Sequence, residues 1–442
     1  MKKVISIILA LSLLLIIAAC GAPAAPAPAP DPAPTPDPAP VAPAPTPAPA
    51  PTPTPPPATP EDPEDDPADD VPFPGRIAII TNEVSQNEEE FRSAAALVYR
   101  YGTDRVLHRT WPVRFAEEGE MMISIMMELA SDPDVGAIII NQAVVNTNAA
   151  IDAVRALRGD DIFIGVVNAA EDPADVSLRV DLALNTDDPA VGHLLPYQAL
   201  AMGATAIGHI TFPRHMAVPH LAARRDIMRA TAERLGLEFH MIDSYDPMGD
   251  GGVPGAQLYI TQNIGNWVEQ YGQDTVFFST NCAQQIPLMQ GVLQYGAMMA
   301  QPCCPSPFHG FPAALGLSST VPSGQYDADG EPIMMFVSIG DVIRLTSEAV
   351  AAAGMTGRMA NWAMPAGITW TNVAFYYAAG WLSGDAWRPV GAPPDVALVH
   401  RLVGDFMERE TGTRYYMNLA NLEIGGVEFP TFVVGTAPYI VY

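Results

Sequence analysis

Lysine is nearly missing from this chain: Lys2 and Lys3 are the only two. Once a leader carrying them is removed, none remains for a Schiff base, a phosphate-loop lysine or a serine–lysine dyad. Positive charge is scarce altogether, with 22 Lys and Arg against 49 Asp and Glu and a formal net charge of -27. That balance excludes nucleic acid and an anionic membrane surface as partners. Cysteine is scarce too, limited to Cys20, Cys282, Cys303 and Cys304. Beyond Cys20 the set is odd and clustered, so it builds no disulfide framework. It leaves open one bridge from Cys282 to the adjacent pair, or three buried thiols. Catalytic signatures are absent as well: no G-x-S-x-G elbow and no H-E-x-x-H pair stands in the chain. Gly249, Gly251, Gly252 and Gly255 fail the dinucleotide fingerprint, because Pro254 takes the third glycine's place. His209, His215 and His220 fit neither one helix face nor a zinc pattern. Asp327-Ala328-Asp329-Gly330-Glu331 starts like a calcium loop but lacks the remaining ligands, and reads as a surface turn. We expect no cofactor, no metal and no enzymatic activity.

What is present begins at the amino terminus. Lys2 and Lys3 precede an apolar run from Val4 to Ile17, closed by Ala18, Ala19 and Cys20. The run is short for a membrane span and ends in small residues, which is the pattern of a cleaved signal over residues 1–20. Ile17-Ala18-Ala19-Cys20 resembles a bacterial lipobox. The resemblance implies that Cys20 is lipidated and becomes the first mature residue, anchoring the protein to the cell membrane on its extracytoplasmic side. Residues 21–73 are dominated by Pro, Ala and Thr and include the acidic stretch Glu61-Asp62-Pro63-Glu64-Asp65-Asp66. Such a segment carries too little apolar surface to offset chain entropy, so a disordered linker is expected. As a polyproline-II rod at ~3.1 Å per residue it reaches on the order of 150 Å.

From Arg76 the pattern turns regular. Apolar strands are expected at 77–81, 106–110, 136–140 and 162–167, with helices at 88–101, around Met121–Leu129 and at 148–157. The series restarts with strands at 206–212, 238–242 and 275–279 and helices at 221–235, 256–271 and 286–295. Repeating βαβ units specify buried parallel sheets, and two consecutive series specify two Rossmann-like lobes with a cleft between them. The expected boundaries are 74–186 for the first lobe and 187–301 for the second. Residues 302–442, with helices near 342–353, 396–410 and the aromatic stretch at Phe375, Tyr376 and Tyr377, complete one or both.

A lipid anchor, a long tether and two α/β lobes resemble the type I periplasmic-binding-protein superfamily. Three segments carry the likeness further: Thr211-Phe212-Pro213-Arg214-His215-Met216, Gly251-Gly252-Val253-Pro254-Gly255-Ala256-Gln257 and Phe277-Phe278-Ser279-Thr280-Asn281-Cys282-Ala283. These resemble the bacterial lipoproteins grouped as domain of unknown function 3798. The resemblance implies a solute-binding lipoprotein that hands a small polar ligand to an ABC permease; a sensor signalling to a membrane partner is the alternative. Sugar binders of the superfamily commonly show Asn-Asp where this chain has Asn281-Cys282, which argues against a pentose or hexose.

Ligands of open parallel sheets bind beyond the carboxyl ends of the strands. The residues there are Asn82, Asn141, Asn168 and Asn281, which offer both donor and acceptor to a hydroxyl- or amide-rich ligand, or serve as helix caps. Trp111 and Phe212 are placed either to stack on a flat ligand or to pack within their lobes. Arg214 can clamp an anion or pair with an acidic neighbour. Gln142 and Gln284 complete the expected polar lining.

Overall fold

Strands covered on both faces must be largely apolar, and the inner strands of both sheets are of that kind, whereas the edge strands are half-exposed and carry charged or polar residues. The computed structural model describes residues 71–442 apart from 327–329, 331 and 386–388. The signal segment, Cys20 and the linker up to residue 70 lie outside the described residues, as does most of the calcium-loop-like segment. Five strands alternate with helices first: β1 (Arg76–Thr81), β2 (Val106–Thr110), β3 (Val135–Asn141), β4 (Phe163–Val167) and β5 (Leu182–Thr186). Three more follow as β6 (Ala206–Thr211), β7 (Glu238–Asp243) and β8 (Thr275–Ser279). The rest comprises a hairpin of β9 (Thr320–Tyr326) and β10 (Pro332–Phe336), then β11 (Ala360–Trp362), β12 (Asn418–Ile424), β13 (Val427–Thr436) and β14 (Tyr439–Val441).

The larger sheet has seven strands in the order β12-β13-β5-β4-β3-β1-β2. All its pairs are parallel except β12 with β13. The smaller runs β7-β6-β8, also parallel. It is extended by bridges from Val276 to Met298 and from Met299 to Met359, which lead on to the β11–β14 pair. The fold is α/β with two Rossmann-like lobes of the type I periplasmic-binding-protein kind.

The carboxyl-terminal third serves both sheets. The helix Ala366–Leu382 packs on β3, β4 and β5, and is apolar around its circumference, with Trp370, Phe375 and Tyr377 all buried. Strand β13 inserts in parallel beside β5, although some 240 residues of chain separate them in sequence. Tyr442 packs in the core of the smaller sheet. Phe73 corrects the expected linker boundary: it is 4% exposed, with ring centroids 5.7 Å from Tyr101 and 5.6 Å from Phe375. One close approach matters for the site. The helices Asp188–Ala201 and Pro219–Leu235 touch at Gly192, where a Cβ would lie 2.7 Å from the carbonyl oxygen of Arg224. No helix among the described residues is long and apolar enough to cross a membrane.

Candidate functional site

The carboxyl ends of both sheets open on one cavity of about 460 Å³. The seven-stranded sheet contributes Asn82 after β1, Gln142 after β3, Asn168 after β4, and Asn185 and Thr186 at the end of β5. The three-stranded sheet contributes Arg214 after β6, Pro247 and Met248 after β7, and Thr280 and Asn281 after β8. A cavity of this size suits a small organic molecule.

Its first wall is an amide network around one carboxyl. The helix Val84–Tyr101 breaks at Asn87, whose φ of -151° and ψ of 89° are not helical. The Asn87 side chain then accepts from the Glu90 backbone N–H at 3.3 Å, capping the turn that follows. This kink carries Glu89 and Glu90 inward, where both are buried. Glu90 Oε1 accepts from Gln142 Nε2 at 2.9 Å and from Asn168 Nδ2 at 3.4 Å. Gln142 and Asn168 both adopt φ near +50°, a conformation disfavoured for side-chain-bearing residues and concentrated at functional sites. Burial pushes the Glu90 carboxyl up to about 7 and Glu89 to about 8. The Oδ1 atoms of Asn82 and Asn148, both in the cavity lining, are buried without a partner among the described residues.

The opposite wall carries two arginines, each paired with a carboxylate. Arg214 holds Asp246 in a bidentate pair at 2.9 and 2.8 Å and lies over the Phe212 ring. Arg224 is 3% exposed, pairs with Asp188 through Nη1, and stacks over Phe278. Its Nε and Nη2 have no partner among the described residues. His215 bonds Thr280 Oγ1 at 3.0 Å, and burial holds its ring at about 3, hence neutral.

Five of the expected residues thus meet in the cavity lining: Asn82, Gln142, Asn168, Arg214 and Asn281. Asn281 also caps the turn after β8, accepting from Ala283 N–H at 3.0 Å. Four expectations are corrected. Asn141 is fully buried behind the sheet end, where Oδ1 accepts from Thr371 Oγ1 at 2.8 Å. Gln284 is consumed by internal bonds to Ser279, Ser244 and the Tyr245 carbonyl. Trp111 and Phe212 are each 1% exposed and pack inside their own lobes. Sequence reasoning missed Arg224, Glu90 and Asn148. Arg224 and Glu90 sit within helices, where nothing in the spacing separates an inward charge from a solvated one.

The two sheets and the cavity between them give a bilobed protein with the type I periplasmic-binding-protein fold. The chain belongs to the family described as Protein of unknown function (DUF3798), whose model matches residues 76–360. An uncharacterised protein of Treponema pallidum (strain Nichols) is 33% identical over 176 residues, 39% of this chain and 80% of that protein. The crystal structure of a putative transcriptional regulator from Clostridium difficile 630 aligns with a TM-score of 0.59 and 18% identity, covering 84% of this chain and all of that one. A looser match is an ABC transporter solute-binding protein from Clostridium phytofermentas with bound L-rhamnose, at TM-score 0.47 and 11% identity, covering 83% and 96% of the two chains.

Proposed function

We propose that this protein is a lipid-anchored, extracytoplasmic solute-binding protein that captures a small polar molecule between its lobes and delivers it to an ABC-type importer. The observation that carries the reading is the cavity of about 460 Å³ lined from both sheets, with unpartnered amide oxygens on one wall and an incompletely paired arginine on the other. Leaving buried polar groups unpaired costs about 1–3 kcal/mol each, and a ligand that pairs them recovers that cost. The lipobox at Cys20 supports the anchor, and the proline-rich segment supplies the reach to a membrane permease.

Two measurements test this. Native mass spectrometry of the purified chain should reveal a co-purified small molecule, and calorimetry should then give a one-to-one affinity. A broad panel of sugars, amino acids and nucleosides that neither binds nor raises Tm would overturn the binding role. For the anchor, metabolic labelling with a fatty acid should mark the wild type and not Cys20→Ser; equal labelling of both would overturn it.

A further inference from the structure

We infer that Cys282, Cys303, Cys304 and His309 form a zinc site in the wall of the ligand cavity. The four ligand atoms all lie within 4.8 Å of one another. Cys282 Sγ is 3.3 Å from Cys303 Sγ and 3.4 Å from Cys304 Sγ, the two neighbours are 3.8 Å apart, and Cys303 Sγ is 3.7 Å from His309 Nε2. Tetrahedral zinc, with Zn–S near 2.3 Å and Zn–N near 2.0–2.1 Å, places its ligands about 3.4–3.8 Å from one another. Those four separations already fall at or near that range, and the whole set lies within 4.8 Å. Three soft sulfurs and an imidazole are a donor set for zinc rather than for a hard, oxygen-seeking cation.

The backbone prepares these positions. Cys282 opens the turn that ends β8, while Pro302, Pro305 and Pro307 stiffen the loop carrying the other three ligands. Ser306 pins that loop from several directions. Its hydroxyl donates to Glu89 and accepts from Phe308 N–H, and its carbonyl accepts from Asn361 and from His309 N–H. Cys303 and His309 are each 8% exposed, and the three cysteines border the ligand cavity. A metal here ties the end of β8 to a loop that itself grips the first lobe through Glu89. With four protein ligands the site is closed, so its role is to hold the cavity wall rather than to present an open coordination position. Binding converts each thiol to a thiolate and releases its proton, leaving a bound Zn²⁺ with three thiolates and one neutral imidazole.

The full-length chain, purified under reducing conditions without chelator, is expected to retain one zinc per molecule. Replacing zinc by Co²⁺ should produce sulfur-to-cobalt charge-transfer absorption and tetrahedral d–d bands. Cys282→Ser and Cys303→Ser should each weaken zinc binding roughly a hundredfold or more. His309→Cys should keep the metal, a rescue that mere packing of thiols does not predict. Should the serine variants fail to fold, zinc content and the cobalt spectrum of the wild-type chain decide alone. Failure of the reduced chain to bind added zinc, or a cobalt spectrum without thiolate bands, would overturn the site. So would peptide mapping that finds Cys282 disulfide-bonded to Cys303 or Cys304 and unchanged by excess zinc.

Discussion

The two sheets meet the same cavity with opposite chemistry. The seven-stranded side presents amides and carboxyls that burial holds toward the protonated form, centred on Glu90. The three-stranded side presents Arg214 and Arg224, each with a carboxylate partner, beside histidines that burial keeps neutral. On the proposed binding role, a bridging ligand is expected to meet amide acceptors at one end and the free N–H groups of a carboxylate-paired arginine at the other. The expected pose of a polar solute in that role sets its electron-rich end toward Nε and Nη2 of Arg224 and its donor groups toward Asn82 and Asn148.

The strongest way to break the comparison is to remove its buried cation. Arg224→Met leaves Asp188 buried beside a neutral His220 and no longer paired. Breaking such a pair costs about 3–5 kcal/mol, so a large fall in denaturation midpoint is expected, together with weaker ligand binding. Adding Asp188→Asn should restore much of the stability and none of the affinity, as measured by urea titration and calorimetry. If the single variant keeps its midpoint, the pair contributes nothing to the fold.

A smaller effect separates scaffold from lining within the first lobe. Asn141 is fully bonded and buried, so Asn141→Ala should destabilise the ligand-free protein by about 1–3 kcal/mol with affinity nearly kept. Asn82, whose Oδ1 has no partner among the described residues, should behave in the reverse manner. Asn82→Ala should leave Tm nearly unchanged and cut affinity roughly tenfold, about 1.4 kcal/mol. Equal shifts in both quantities for both variants would erase the distinction between the two residues.

The contrast between Asn141 and Asn82 also marks what could be read from the chain. Strands β1, β3, β4, β6 and β8 were legible because a parallel strand buried on both faces is largely apolar, whereas β2 and β7, half-exposed, were legible from the recurring strand–helix spacing. Strand β5 was not, since Leu182-Ala183-Leu184 is too short a run to stand out before Asn185 and Thr186. Nor was β13, which pairs with a strand far away in sequence and carries Pro430. The helix Asp188–Ala201 was masked by Pro189 and Pro196. At the site, the strand ends were legible but the side-chain directions were not. Asn141 closes β3 and faces the helix Ala366–Leu382, whereas Gln142 turns through a left-handed conformation into the cavity. A single residue step reverses the face. The three cysteines were legible as a group, with a bridge or buried thiols left open, but His309 beside them was not, because the spacing of Cys282, Cys303, Cys304 and His309 matches no recurrent zinc pattern.

The finest test uses pH, because His209 in one lobe and Glu89 in the other should respond to it with opposite sign. His209 is fully buried between Phe239 and Phe278, and neither ring nitrogen has a partner among the described residues. Burial, reinforced by the charges of Arg224, Arg225 and Arg229, lowers its pKa to about 3. The unfolded chain therefore takes up a proton below its ordinary value near 6.5 while the folded state does not. Stability contributed by the neutral ring is complete above that value and is lost as pH falls toward 3, with a slope of up to about 1.4 kcal/mol per pH unit. Glu89, raised to about 8 by burial and further by Glu90, works the other way. The folded state holds that proton more tightly, so its contribution is complete below about 4.5 and is lost as pH rises through 8. His209→Phe keeps an aromatic ring between two others and removes the titrating group. We expect it to flatten the acid limb of the stability curve while leaving the alkaline limb in place, and Glu89→Gln to do the converse. Urea midpoints measured from pH 5 to pH 8.5 decide between this and a shared response. An acid limb of unchanged slope in His209→Phe would show that the second lobe's buried histidine does not set the acid sensitivity of the fold.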